Sequence, residues 1–351
     1  MSLDPEFIKI NLKGEVINSK GQIVSDIDDA VDILESVTLN EKFKYQTISD
    51  EIVEVFDFLF IINKVEWSGE AGFQAQLQAK AQYDIKLNLD LNQIYLDYKD
   101  RFIIYTEKGI PCVLNANAQN QLFELSDEFS DEDITLGGQV YSTSPWLSPD
   151  SRISESDFWS ERYFEQRTEW DLNEPTPCLV WALKKFKLPK MRIAVLGCGR
   201  GHDAAYIASQ GHKVTGFDFS QEAILEAQKI YGIPKESSNI KWVQQDIFDL
   251  SEDYFGQFDL IFDHTLFCAV DPDRRSKLVD QWYRLLAPQG QILGVFFTMP
   301  KPNGPPYGTT EEEIQTRIAK KFRKDFWERS KVSIPRRMGK ELIVLATKAE
   351  L

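Results

Sequence analysis

Residues 192–201, RIAVLGCGRG, constrain this chain more than any other stretch: a short apolar run breaks into three glycines set two apart, and helix-forming residues follow at once. An unbroken apolar run of this length suits a strand buried on both faces, as in a parallel sheet. Glycines let the backbone reverse sharply and approach a ligand closely, and free N–H groups at the next helix attract negative charge. The pattern repeats. Residues 213–217 read as a second strand ending at Asp218, Ser220 caps a helix over 221–231, and Gly232 with Pro234 beyond it stops that helix. Further strands are predicted at 241–244, 258–262 and 292–297, and Asp271-Pro272 opens a helix between the last two. Strands and helices in alternation with short connections predict an α/β, Rossmann-like doubly wound sheet.

This sheet accounts for just over half of the 351 residues, so a second domain is expected before it. Charge divides the chain at the same place. Residues 1–150 hold 11 Lys+Arg against 27 Asp+Glu, whereas the remainder holds 29 against 28. Residues 140–157 are rich in serine and carry Pro145 and Pro149, a composition that suits a domain seam. The expected organisation is an acidic α+β domain over 1–145, a linker over 146–157 and the doubly wound domain over 158–351. Within the first, a hairpin is expected in 7–24 around Asn18-Ser19-Lys20-Gly21, helices over 28–37 and 118–129, and a strand over 85–96 where apolar and polar residues alternate.

Several function classes are excluded at this stage. An acidic first half argues against nucleic acid or an anionic membrane as partner. The four cysteines, Cys112, Cys178, Cys198 and Cys268, show no metal-ligand spacing, which predicts a reduced, cytoplasmic protein without a metal. Six acidic residues in the first thirty exclude a basic-start secretory signal, and no run approaches the roughly 20 apolar residues needed to span a bilayer.

The ends of the first three strands carry the chemistry. A dinucleotide fingerprint GxGxxG would need glycine at 202, where His202 stands, so a nicotinamide oxidoreductase fits poorly. The GxGxG turn of Gly197, Gly199 and Gly201 instead resembles the loop of Rossmann-like methyltransferases, which packs against the amino acid end of S-adenosylmethionine and leaves no space for a pyrophosphate. Asp218 can accept hydrogen bonds from both hydroxyls of a ribose, and Asp246 can take an adenine amino group while Ile247 covers the ring.

Five separated segments then make the chain resemble the thiopurine S-methyltransferase family, and within it the plant-type thiol and halide methyltransferases. They are FWSERYFEQRTEWDLNEPTP from Phe158, VLGCGRGHDAAYIASQGHKVTGFDFSQEAI from Val195, QQDIF from Gln244, FDLIFDHTLFCAVDPDRR from Phe258, and GPPY from Gly304. The resemblance implies S-adenosylmethionine as cofactor, a small-molecule acceptor with a soft sulfur-type nucleophile, and cofactor contacts from Trp159, Tyr163, Trp170, Gly197, Asp218, Asp246, Ile247 and His264. Tyr163 stands where the family usually has tryptophan, and His264 where close relatives have tyrosine. Aromatic faces at 159, 163 and 170 suit a sulfonium cation. By the rule that ligands sit at the carboxyl ends of strands, Asp263, His264 and Arg275 are the candidates on the acceptor side, Arg275 as the stabiliser of an anionic acceptor. Amines, carboxylates or metalloids as acceptors, or a sensor that binds the cofactor without turnover, stay open here, as does the oligomeric state.

Overall fold

Strand β1 (Arg192–Leu196) becomes the centre of a sheet because both of its faces are covered: Ile193, Ala194, Val195 and Leu196 are each at most 4 % exposed. Ala194 and Leu196 pack into one apolar layer with Leu278, Trp282 and Leu285, while Ile193 and Val195 pack into the other with Leu179, Ala204 and Ile207. Fully burying one such side chain contributes about 1.5–3 kcal/mol. Two-sided burial is what turns the apolar run into an interior strand.

The computed structural model describes residues 86–351 apart from 98, 108–110, 131, 146–149, 151, 300, 302–303 and 351. Before residue 86 it describes the backbone of eight strands, and the side chains of Ile62, Lys64, Val65 and Glu66. The chain divides into two compact units, Met1–Ser148 and Pro149–Leu351.

The second unit holds β1, β2 (Lys213–Asp218), β3 (Ile240–Gln244), β4 (Phe258–His264), β5 (Leu286–Phe297), β6 (Phe322–Arg329) and β7 (Glu341–Lys348), in the order β3-β2-β1-β4-β5-β7-β6. The first five are mutually parallel, whereas β7 runs antiparallel to both β5 and β6. Its helices are α1 (Ser156–Phe164), α2 (Pro177–Phe186), α3 (His202–Ser209), α4 (Gln221–Tyr231), α5 (Leu266–Ala269), α6 (Arg275–Leu285) and α7 (Glu311–Ile318). Local chemistry fixes their ends. Ser220 accepts the Ala223 N–H at 3.2 Å to start α4, and Gly232, at φ +86°, closes it. Asp271 caps a 3-10 turn, Pro272–Arg274, that leads into α6. Leu278, Val279, Trp282 and Leu285 then form the apolar stripe of α6 on the sheet.

In the first unit strands dominate. One sheet has six strands, with Phe7–Ile10, Val16–Ile17 and Ile23–Ser25 paired antiparallel in sequence, which includes the expected hairpin. The other has eight strands, and its longest, Lys86–Leu96, buries Leu89 and Leu91 but then Ile94, because its pairing with Phe102–Thr106 shifts register there. The expected helix at 118–129 is Ala116–Leu125, capped by Asn115; it ends early because Glu128–Phe129 pairs as a strand with Ile134 and Thr135. The helix expected over 28–37 lies outside the described residues. No helix among the described residues is long and apolar enough to cross a membrane.

Candidate active site

The turn after β1 can be built only with glycine. Gly197, Gly199 and Gly201 have φ of +60°, +53° and +80°, a region that L side chains enter at a cost. A Cβ on residue 199 would lie 2.7 Å from the Tyr163 hydroxyl, and one on residue 201 would lie 2.4 Å from the Trp242 ring. This turn aims the Gly199 N–H at Asp218, donating to Oδ2 at 2.9 Å, while the Ser220 N–H donates to Oδ1 at 3.0 Å. Asp218 is 7 % exposed. Burial pushes its carboxyl up to about 6, although N–H groups of Ser220, Gly199 and Phe219 favour the charged form.

Gly197, Asp218 and Asp246 stand at or just past the ends of β1, β2 and β3, and all three border one cavity of about 570 Å³. Asp246 Oδ1 accepts the Phe248 N–H at 2.9 Å, which leaves its second oxygen for another donor and sets Ile247 against the same space. Trp159, Tyr163 and Trp170 wall another side as an edge-to-face cluster, with ring centroids 5.5 Å apart for Trp159–Trp170 and 5.8 Å for Tyr163–Trp170. Trp159 is fixed by its indole N–H, which donates to the Ile153 carbonyl at 3.0 Å. Cys268, Pro305, Pro306 and Phe297 supply wall beyond β4 and β5, and Arg162, Arg274, Arg336 and Arg337 also border it.

The candidates expected on the acceptor side are placed differently. Arg275 is not a wall of the cavity: it is fully buried and donates to the carbonyls of Phe267 (3.2 Å) and Gly308 (3.0 Å) and to Glu313 (3.0 Å). It therefore holds the Gly304–Tyr307 loop and α7 together, which corrects the expectation that it faces an acceptor. His264 likewise stands behind the cavity, its Nδ1 2.9 Å from Asp203 and its Nε2 3.6 Å from Glu341 and 3.0 Å from Arg337. Burial opposes its charged form while Asp203 and Glu341 favour it and hold the imidazole up to about 9, whereas the Arg337 guanidinium beside Nε2 favours the neutral ring. Asp263 is also fully buried; it accepts the Phe267 N–H at 3.3 Å, and burial pushes it up to about 7. Cys268 does reach the cavity, and burial pushes its thiol up to about 12, which leaves it neutral and unreactive.

Two arginines that the sequence did not single out bracket the aromatic wall. Arg337, just before β7, donates to the Trp170 carbonyl and pairs with Glu341 at 3.4 Å. Arg200, inside the glycine turn, reaches residues 166–171 from the opposite side. Its place between Gly199 and Gly201 was the one available signal. Among the described residues no cluster of His, Cys, Asp or Glu could hold a metal.

The residues fit a nucleoside-bearing cofactor: a cradle that any Cβ would fill, and two carboxylates spaced along consecutive strand ends. A parallel sheet closed by one antiparallel strand, with such a site at its carboxyl edge, defines the S-adenosylmethionine-dependent methyltransferases of class I. The family model described as thiopurine S-methyltransferase matches residues 154–349, and the chain belongs to that family. It is 32% identical over 222 residues to "Thiocyanate methyltransferase 1" of Arabidopsis thaliana, covering 62% of this chain and 96% of that one. It is 31% identical to "Probable thiol methyltransferase 2" of the same plant, covering 45% of this chain and 69% of that one. "Thiopurine S-methyltransferase" of Legionella pneumophila (strain Paris) is 29% identical over 171 residues, covering 45% of this chain and 77% of that one.

Proposed function

We propose that the protein transfers the methyl group of S-adenosylmethionine to the sulfur of a small thiol or to a comparably soft anion. When bound, the cofactor supplies an electrophilic methyl on a sulfonium. In this reading Asp218 accepts the ribose hydroxyls, Asp246 the adenine amino group, and Ile247 covers the ring. The turn of Gly197, Gly199 and Gly201 accommodates the amino acid end, and Trp159, Tyr163 and Trp170 face the sulfonium. His264 and Asp263 support the strand end from behind without touching the reacting atoms. The observation that carries the reading is the convergence of both strand-end carboxylates and all three aromatics on one cavity.

The acceptor class follows from what the cavity cannot do. Methyl transfer is an in-line displacement, so alignment and exclusion of water supply most of the rate, on the order of 7–11 kcal/mol from positioning. The cavity's remaining candidate bases are weak: Cys268 is held neutral, burial raises the Tyr163 phenol well above its ordinary value, and besides the two cofactor carboxylates only Glu169 and Asp271 border it among the described residues, carboxylates too weakly basic to ionise an alcohol. An acceptor must therefore arrive as an anion or ionise easily, as a thiol near pKa ~8.5 does and an alcohol does not. Arg162, Arg274 and Arg336 favour such an anion at the walls. The four free cysteines accord with a reducing, cytoplasmic setting. A panel of thiols, iodide, thiocyanate, alcohols and amines, scored by S-adenosylhomocysteine release, tests the assignment. Turnover is expected on thiols or soft anions. Methylation of an alcohol or amine with silence across the thiols would overturn it.

A further inference from the structure

Nothing in the binding of a methyl donor requires arginine in the middle of a glycine turn, yet Arg200 stands there with its side chain 9 % exposed. Its Nη1 donates to Thr168 Oγ1 and to Asp171 Oδ2, both at 2.7 Å, its Nη2 to Gln166 Oε1 at 3.1 Å, and its Nε to Glu226 on α4. Two of those partners, Gln166 and Thr168, lie in the segment that joins Tyr163 to Trp170, and Asp171 follows Trp170 directly. That segment has little apolar burial of its own: residues 164–167 and 169 are exposed, and Gln166 sits at φ +58°. Polar ties hold it instead. Arg337 grips the Trp170 carbonyl on one side, and Arg200 grips 166–171 on the other.

We propose that Arg200 and Asp171 form a latch that couples the cofactor-binding turn to the aromatic strap, making Arg200 a positioning residue for methyl transfer. The backbone N–H next to it, that of Gly199, is fixed by Asp218, so a ligand that orders this turn also orders the root of the Arg200 side chain. The planar guanidinium then transmits that order to both flanks of the strap, because it can hold several acceptors at set angles where an ammonium cannot. Burial works against the Asp171 charge, but His202, the Asn173 N–H and Arg200 hold its carboxyl down to about 2, so the pair stays ionised throughout the neutral range. The latch is thus a fixed electrostatic tie rather than a pH-dependent one.

The proposal rests on the reading of the three aromatics as walls around the donor, and its test separates the two. In the full-length protein, S-adenosylhomocysteine dissociation is followed by stopped-flow tryptophan fluorescence, and KM and kcat are measured for donor and acceptor. Arg200→Met is expected to speed dissociation by about tenfold and raise the donor KM alike, with the acceptor KM within about twofold of wild type. Asp171→Asn should act in the same direction. The double variant should be no worse than the poorer single one, as for two residues that act as a unit. Arg200→Lys, which keeps the charge but loses the fork, should fall between wild type and methionine, and it carries the test if Arg200→Met does not fold. Wild-type protein that does not bind S-adenosylhomocysteine would overturn the cofactor reading itself. Wild-type dissociation rates in folded Arg200→Lys and Asp171→Asn, or additive effects in the double variant, would overturn the latch alone.

Discussion

Replacing Asp218 by alanine should remove donor binding while leaving a folded sheet, and the structure gives the size of the effect. The carboxylate already accepts two backbone N–H groups, at 2.9 Å and 3.0 Å, and its remaining lone pairs are available to a pair of ribose hydroxyls. A hydrogen bond to a charged group contributes about 1.5–3 kcal/mol, so losing two weak ones costs roughly 3 kcal/mol, on the order of a hundredfold in affinity. The same side chain gives a pH signature. Its folded-state value of about 6 lies above that of a free aspartate, so the folded protein binds this proton more tightly than the unfolded chain. Stability from this group is therefore present below pH ~4 and is lost as pH rises through ~6, by about 3 kcal/mol in the ligand-free protein. A ribose that bonds the ionised form restores part of that loss, so the thermal shift produced by S-adenosylhomocysteine should be larger at pH 7.5 than at pH 5. Titration calorimetry and thermal denaturation at the two pH values check both halves. An Asp218→Ala protein that binds within threefold of wild type, or a ligand shift independent of pH, would refute the reasoning.

Arg275→Met should lower the melting temperature by removing one of the two arginines that pair with buried Glu313, Arg317 being the other, at a cost of up to about 3 kcal/mol, and a raised acceptor KM at unchanged melting temperature would return Arg275 to the acceptor side. Gly199→Ala should weaken S-adenosylhomocysteine binding at least tenfold by calorimetry, since its Cβ meets the Tyr163 hydroxyl at 2.7 Å. Adding Tyr163→Phe should recover part of that loss; no recovery would mean that the contact is not what excludes alanine. A chain beginning at Pro149 should fold and bind S-adenosylhomocysteine, as circular dichroism and calorimetry can show, and an insoluble product would place the domain boundary elsewhere.

Legibility in the sequence followed the range of each interaction. The glycine turn, Asp218, Asp246, and the Ser220 and Gly232 ends of α4 are set by neighbours a few residues away, so they could be read directly. No α-helix separates β6 from β7, so the rhythm that reveals the earlier strands fails there; β6, although α7 precedes it, is further masked by charge, since FRKDFWER buries only Phe322. Arg275 was misplaced although its helical phase was visible: it lies on the buried face with Leu278, Val279 and Trp282. What the sequence hid was Glu313, the partner 38 positions on that makes burial tolerable. His264 was misplaced for the same reason, because Asp203 and Glu341 come from opposite ends of the domain. Arg200 finds its main partners 29 to 34 positions upstream, beyond any local pattern.

Because β7 inserts between β5 and β6, the segment translated after every other strand occupies an interior slot of the sheet. On a ribosome the first five strands can pair as they emerge, but Arg337 and Glu341 reach Trp170 and His264 only once residues 337–341 have themselves emerged. A nascent chain arrested before residue 337 would carry the glycine turn without the grip on its roof.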